Sequence, residues 1–348
     1  MRELKYREAI SEALVQAMEA DESVFIMGIG VDDPKGIFGT TRAAAERFSR
    51  KRVVDTPICE DTMTGVAIGA SLVGMRPVLV HARNDFALVS MNELVNHAAQ
   101  WSYTTGGALH VPITVRMLIG RGWGQGAQHS KSLQAFFCHV PGLKVVMPAT
   151  PYDAKGLLIA SIQENCPVIF IEHRLLYEVS GPVPEEPYTV PLGNSVVRRE
   201  GRDATIVATS LMVIESLKAA HMLEKEGIDV EVVDLRTVSP MDEETVLASV
   251  RKTGRLVIAD TGWSNCGLAA EVACRVAEKA FGSLGAPVQR VVLPDVHAPV
   301  SRALEEEFYP GVEGIAQAVR RALYGKKAGT RLAVVSADPA DKGFLGPF

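Results

Sequence analysis

The sequence predicts an α/β protein of two domains, each built on a mostly parallel sheet. Three observations carry this. Apolar, β-branched segments alternate with helical patterns of about 10 to 15 residues, the arrangement of parallel strands joined by crossover helices. With 348 residues, 47% of them apolar and 22% charged, the chain is too long for one typical core and has the profile of an ordinary folded protein. Between Tyr177 and Arg202 the texture changes to VSGPVPEEPYTVPLGNSVVRREGR, rich in proline and charge, as an interdomain linker would be. The expected organisation is a first domain over 1–187, a linker over 188–202, a second domain over 203–326 and a polar, turn-rich tail over 327–348.

Taken in order, the chain opens with an amphipathic helix carrying Tyr6, Ala9, Ile10, Leu14 and Met18 at helical spacing, then the strand SVFIMGIG. The loop Gly28 to Gly39 has neither the ending of a phosphate loop nor the spacing of a dinucleotide fingerprint. A short strand from Arg52 to Thr56 and a proline turn lead into a Gly-, Ala- and Ser-rich helix that begins at Glu60. The strand Arg76 to Val80 is followed by HARNDF and by one long helix expected from Leu88 to Tyr103. The strand VPITVRML then precedes the glycine-rich loop IGRGWGQGAQHSKS, and a strand, a helix and a strand complete the first domain. The second domain repeats the alternation, from ATIVATS through IDVEVVDL and RLVIAD to VQRVVLP. Its loops place Arg236, Asp260 and Asp295 at strand ends, with no nucleophile beside a base.

Composition excludes some functions. A net charge of -5 and the absence of a basic run interleaved with aromatics argue against nucleic acid as a partner. The five cysteines are scattered without a CxxC pair, which fits reduced thiols rather than a disulfide framework or a zinc site, and no metal ligands are assigned. The N-terminus lacks the pattern of a signal peptide and no apolar run is long enough to span a bilayer, so a cytoplasmic protein with no membrane partner is expected.

In open parallel sheets, sites gather at the carboxyl ends of the strands. Glu60, Phe86 and His129 each follow a predicted strand and are therefore the candidates for one site. Each has a plain structural reading beside the functional one. Glu60, with Asp61, meets the dipole at a helix start; Phe86 is a core aromatic; His129 is a loop residue bonded to backbone.

Several runs together carry a family resemblance: DTPICEDTMTGVAIGASLVGMRP, DFALVSMNELVNHAA, GQGAQHSKS with PGLKVVMPATPYDAKGLL, IEHRLLY, DLRTVSPMD and the GLAAEVA helix. In uninterrupted order from about Lys5 to Leu323, the chain resembles the β subunit of the thiamine-diphosphate-dependent 2-oxo acid dehydrogenases, the decarboxylating component of the pyruvate and branched-chain complexes, with acetoin dehydrogenase a close relative.

The resemblance implies a pyrimidine-binding domain followed by a transketolase C-terminal-type domain. It implies thiamine diphosphate shared with an α subunit in an α2β2 heterotetramer, a 2-oxo acid substrate and a lipoyl acyltransferase as acceptor. Glu60 falls on the family's activating glutamate, which hydrogen-bonds the aminopyrimidine ring so that the cofactor loses its thiazolium proton. A carboxyl group suits this because the proton must be shared, and apolar neighbours in sequence (Ile58, Met63, Val66) would favour a raised pKa. Phe86 matches the aromatic residue against the aminopyrimidine, and Ile58 and Ala82 match positions lining it. His129 matches the histidine at the substrate end, taking part in decarboxylation or acyl transfer to lipoamide.

The family holds the diphosphate and its Mg2+ through a Gly-Asp-Gly motif on the α subunit, and this chain has none. The chain alone is therefore expected to be inactive, with Mg2+ held by the α subunit. There are departures. His81 to Phe86 reads HARNDF where pyruvate-type relatives are aromatic and methionine-rich. Arg83 there suits a substrate carboxylate, or an ion pair with Asp85 or with the α subunit. A family potassium site would use carbonyls near Ile113, Ser161 and Ile162 with the side chains of Glu164 and Cys166, and a thiol is a poor ligand for so hard a cation. Two other functions compete: the C-terminal half of a split transketolase-type enzyme acting on sugar phosphates, and a non-catalytic assembly protein on the same fold.

Overall fold

The computed structural model describes residues 1–33, 35–121 and 124–325; the stretch expected as a tail, 327–348, lies outside them. In chain order the strands are β1 (Arg2–Lys5), β2 (Val24–Gly28), β3 (Val53–Asp55), β4 (Arg76–His81), β5 (Thr114–Ile119), β6 (Lys144–Val146), β7 (Val168–His173), β8 (Ser180–Val183), β9 (Val196–Arg199), β10 (Ala204–Ala208), β11 (Val230–Asp234), β12 (Thr237–Ser239), β13 (Leu256–Trp263) and β14 (Gln289–Leu293).

They form a larger sheet in the order β12-β6-β7-β5-β4-β2-β3, a smaller one in the order β14-β13-β10-β11-β9, and a β1-β8 ribbon. In the larger sheet every pairing is parallel except β12 with β6, and in the smaller one every pairing is parallel except β9 with β11. This is the two-domain, mostly parallel α/β architecture that the strand–helix alternation predicts.

The central strands explain the order. All six residues of β5 (TVRMLI) and of β7 (VIFIEH) are buried, as parallel strands covered on both faces must be. One face packs Leu79, Val115, Met117 and Ile171 against Ala67, Ile68, Leu94 and Ala98. The other packs Val78, Val80, Leu118 and Phe170 against Tyr6, Ile10, Leu14 and Leu157. Into this second layer go Arg116 and Glu172, both fully buried and joined by two bonds of 2.6 and 2.9 Å, with the Tyr177 hydroxyl donating to Glu172 at 2.8 Å.

Three elements differ from expectation. Within the stretch read as linker, Val196–Arg199 is an edge strand of the smaller sheet. Its arginines disguise it in sequence, yet Arg198 reaches Asp234 at 2.9 Å and Arg199 reaches Asp229 at 2.9 Å, so its charges are paired. The segment expected as one helix over 88–103 is helical but irregular: Asn84–Ala87, a 3-10 turn over Leu88–Ser90, a π-turn over Glu93–Ala98 and Trp101–Thr104, with right-handed helical backbone at each junction. Asn96 donates to Asn92 at 2.9 Å, an i,i+4 pair of the kind a helical surface supports, and the irregularity lies in the backbone, which tightens and then widens along the run. Finally, β12 follows the smaller sheet's β11 yet pairs with β6 of the larger sheet, Thr237 opposite Val146.

Candidate active site

The larger sheet places β3, β2, β4 and β5 side by side and parallel. Their carboxyl ends share one edge, so the segments after β3, β4 and β5 come together there. These are the segments carrying Glu60, Phe86 and His129.

Glu60 opens the helix Glu60–Leu72, which follows β3 after a short proline-containing turn. The helix is small enough on one side to seat closely on the turns after β4, where the Glu93 side chain comes within 3.9 Å of a Cβ placed on Gly65. Two acids stand at its start, and they behave differently. Asp61 Oδ1 accepts from the Thr62 amide at 2.6 Å and from the Cys59 thiol at 3.3 Å, and these bonds pull its pKa below the usual range. The Glu60 carboxylate has no hydrogen-bond or ion-pair partner among the described residues; only its backbone carbonyl is used, by the Thr64 hydroxyl at 2.7 Å. Asp61 thus meets the exposed helix end, and Glu60 is left half-buried and free.

Phe86 and His129 meet directly. Their ring centroids lie 5.3 Å apart at an interplanar angle of 80°, an edge-to-face contact between the turn after β4 and the loop after β5. Both are half-buried. Of the apolar groups expected around Glu60, Ile58 is 79% exposed and Val66 50% exposed, while Met63 is half-buried and packs on the core. Ala82 is exposed too, while its neighbour Arg83 is buried.

Of the alternatives for Arg83, the ion pair with Asp85 is not formed among the described residues. Arg83 Nη2 donates to Gln125 Oε1, and the Asp85 carboxylate takes Lys131 Nζ at 3.0 Å instead of Arg83. Burial pushes the Arg83 pKa down, with the nearby Asp85 charge opposing. Gln125 and Lys131 were not legible as site residues. The only signal available is that both stand within a few positions of His129 in GQGAQHSK. Behind them, His81 and His173 are buried as neutral imidazoles, with pKa values pushed down to about 4 and about 3 by burial.

The arrangement suits an aromatic ring with hydrogen-bonding nitrogens. Phe86 and Ile58 offer it faces, Glu60 an unengaged carboxyl, and His129 an imidazole packed on the Phe86 ring. It does not suit a metal. Among the described residues no three His, Cys, Asp or Glu side chains come together as a ligand set. At the carbonyls and side chains where the resemblance implies potassium, the Ile113 carbonyl accepts from Val168, the Ile162 carbonyl from Arg76 at 3.1 Å, and the Glu164 carboxylate from Lys144. The chain's own donors engage that set.

Comparisons with known proteins follow the same outline. Residues 2–180 match the transketolase pyrimidine binding domain, and residues 193–315 match the transketolase C-terminal domain. The chain is 43% identical over 336 residues to the β subunit of acetoin:2,6-dichlorophenolindophenol oxidoreductase from Cupriavidus necator, covering 94% of this chain and 99% of that one. It is 41% identical to the β subunit of the pyruvate dehydrogenase E1 component from Bacillus subtilis, covering 93% and 99%. Among solved structures it resembles a split-gene transketolase described as an inactive β4 tetramer, with a TM-score of 0.75 and 26% identity over 93% of this chain and 99% of that one.

Proposed function

The chain belongs to the family of pyruvate and acetoin dehydrogenase E1 β subunits, and from that premise we propose that it is the activating half of a thiamine-diphosphate enzyme. It would decarboxylate a 2-oxo acid in the cytoplasm and pass the acyl group to a lipoyl carrier. The observation that carries this reading is the free, half-buried Glu60 carboxylate at the start of a helix whose other acid is already engaged.

In this reading Phe86, Ile58 and Ala82 would hold the aminopyrimidine ring, and the Glu60 carboxyl would share a proton with it. The cofactor supplies a carbon acid and an electron sink that the protein's own side chains lack. His129 stands at the substrate side, where an imidazole donates or takes a proton near neutral pH during acyl transfer. Mg2+ and the diphosphate belong to an α subunit in an α2β2 assembly, since this chain has neither the Gly-Asp-Gly motif nor a ligand cluster among its described residues. The exposed apolar residues Ile58, Val66, Leu88 and Val89 around the site support a partner subunit completing it.

The similarity to a split-gene transketolase supports a second reading, ketol transfer between sugar phosphates. The test is to purify the chain alone and co-purified with its α subunit, and to assay both with pyruvate, branched-chain 2-oxo acids, acetoin and sugar phosphates. Thiamine-dependent turnover of an oxo acid or acetoin only when both chains are present supports the proposal. Turnover of sugar phosphates, or full activity of this chain alone, would overturn it.

A further inference from the structure

This inference rests on the role proposed for His129 and concerns what holds that residue in place. The loop carrying it is rich in glycine, and Gly120, Gly124 and Gly126 adopt φ of +112°, +65° and +58°. Glycine loops have more backbone freedom to lose than any others. An imidazole that must act on a substrate has to be fixed to within a fraction of an ångström. The edge-to-face contact with Phe86 alone is too weak for that.

Two polar braces straddle His129. On its N-terminal side Gln125 accepts from Arg83 Nη2. On its C-terminal side the Asp85 carboxylate accepts from both the Lys131 ammonium at 3.0 Å and the Lys131 amide at 3.3 Å, while Lys131 Nζ also ties back to the Ala127 carbonyl at 2.8 Å. Arg83 and Asp85 belong to the same short turn as Phe86, so both braces and the ring contact join the same two segments. Arg83 is 5% exposed and Asp85 7%, which shelters the braces from water and salt. Val300 closes the loop from the second domain, its Cγ2 within 2.6 Å of where a Cβ on Gly126 would stand. The neighbouring Ala82 is exposed while Arg83 is buried, and of the Arg83 guanidinium Nη2 is engaged by Gln125 while Nη1 has no partner among the described residues.

We propose that Arg83 and Asp85 are positioning residues that clamp the His129 loop onto the Phe86 turn from both sides, and that this clamp sets the imidazole for the acyl-transfer half of the reaction.

The test uses the assembled enzyme with its α subunit, carrying Arg83→Met or Asp85→Asn, each alone and combined with His129→Ala. Acyl transfer to a lipoyl acceptor should fall about 10- to 100-fold in each single variant, while hydrogen exchange at the thiazolium carbon stays within about twofold of native. Combined with His129→Ala, neither should cost more than about twofold further, because the clamp acts through the imidazole. A readout independent of activity is the Cε1–H resonance of His129 in enzyme made with carbon-13 histidine, assigned by its loss in His129→Ala. In both clamp variants it should move toward the position of an exposed imidazole as the ring leaves Phe86. An unmoved resonance, parallel loss of exchange and acyl transfer, or an undiminished cost in the His129→Ala background would each overturn the clamp. If His129→Ala leaves acyl transfer unchanged, the proposed role of His129 fails, and the resonance still decides whether the clamp exists. Should Arg83→Met not assemble, Gln125→Met removes the same brace from its half-buried end.

Discussion

Phe86 and His129 follow neighbouring strands of one sheet, and their rings meet edge to face at 5.3 Å. The contact makes the turn after β4 and the loop after β5 parts of one surface. Glu60 reaches the same sheet edge from β3, so the three residues share an edge.

Glu60 is the residue whose loss should separate binding from activation. In the assembled enzyme Glu60→Gln keeps the size and the hydrogen-bonding reach of the side chain but removes its capacity to share a proton. Hydrogen exchange at the thiazolium carbon, followed by proton NMR after acid quench, should slow by about 10²- to 10⁴-fold, with cofactor affinity within about threefold if, as proposed, the diphosphate is held by the α subunit. Unchanged exchange would remove Glu60 from the mechanism.

Glu172 should prove important for stability and not for chemistry. Its carboxylate and the Arg116 guanidinium are both fully buried and bonded in two places. Glu172→Gln leaves a buried positive charge uncompensated, which costs about 3–5 kcal/mol. Chemical denaturation of the native and variant proteins measures it, and a loss below about 1 kcal/mol would show that the pair relaxes or hydrates once broken.

Histidine burial gives a pH dependence whose sign is fixed. The folded pKa of His81 is pushed down to about 4 by burial, below the usual value of about 6.5. Below pH 6.5 the unfolded chain takes up the proton first, so stability falls as the pH drops from about 6.5 toward about 4, by up to about 1.4 kcal/mol per pH unit. His173, pushed to about 3 by burial and by the charges of Arg121, Arg174 and Arg83, acts in the same direction. Asp234, raised to about 6 by burial, opposes them, because the folded state binds its proton more tightly between about 4 and 6. The difference between native protein and His81→Leu isolates one histidine. Denaturation midpoints should shift in favour of the variant as the pH is lowered through that window, and a pH-independent difference would contradict the burial of a neutral His81.

The parts of the molecule that sequence patterning reveals are those with one dominant local cause. β5 and β7 are continuous apolar runs because both faces are covered, and their length and composition say so directly. The start of the helix at Glu60 is legible from a proline turn followed by two acids. β9 was hidden because an edge strand tolerates the arginines of VVRR once distant aspartates pair with them. The helical course over 84–104 is legible from its apolar spacing, but its 3-10 and π irregularities were hidden, because spacing does not encode which carbonyl each amide reaches. At the site, candidate residues could be named from strand ends, but which acid at the helix start stays free depends on a bond from Asp61 to its neighbours. The partners Gln125 and Lys131 depend on contacts that no spacing encodes.

β12 has a consequence for how the molecule can be divided. A chain cut within 188–202 would leave its first half with β6 as a bare sheet edge, because the strand that covers it, Thr237–Ser239, comes from the second half. Exposed edges of this kind recruit other chains. The two halves are therefore not independently soluble pieces: the second lends the first its border, and one apolar cluster runs through both, from Leu79 and Ile171 to Val233 and Val272.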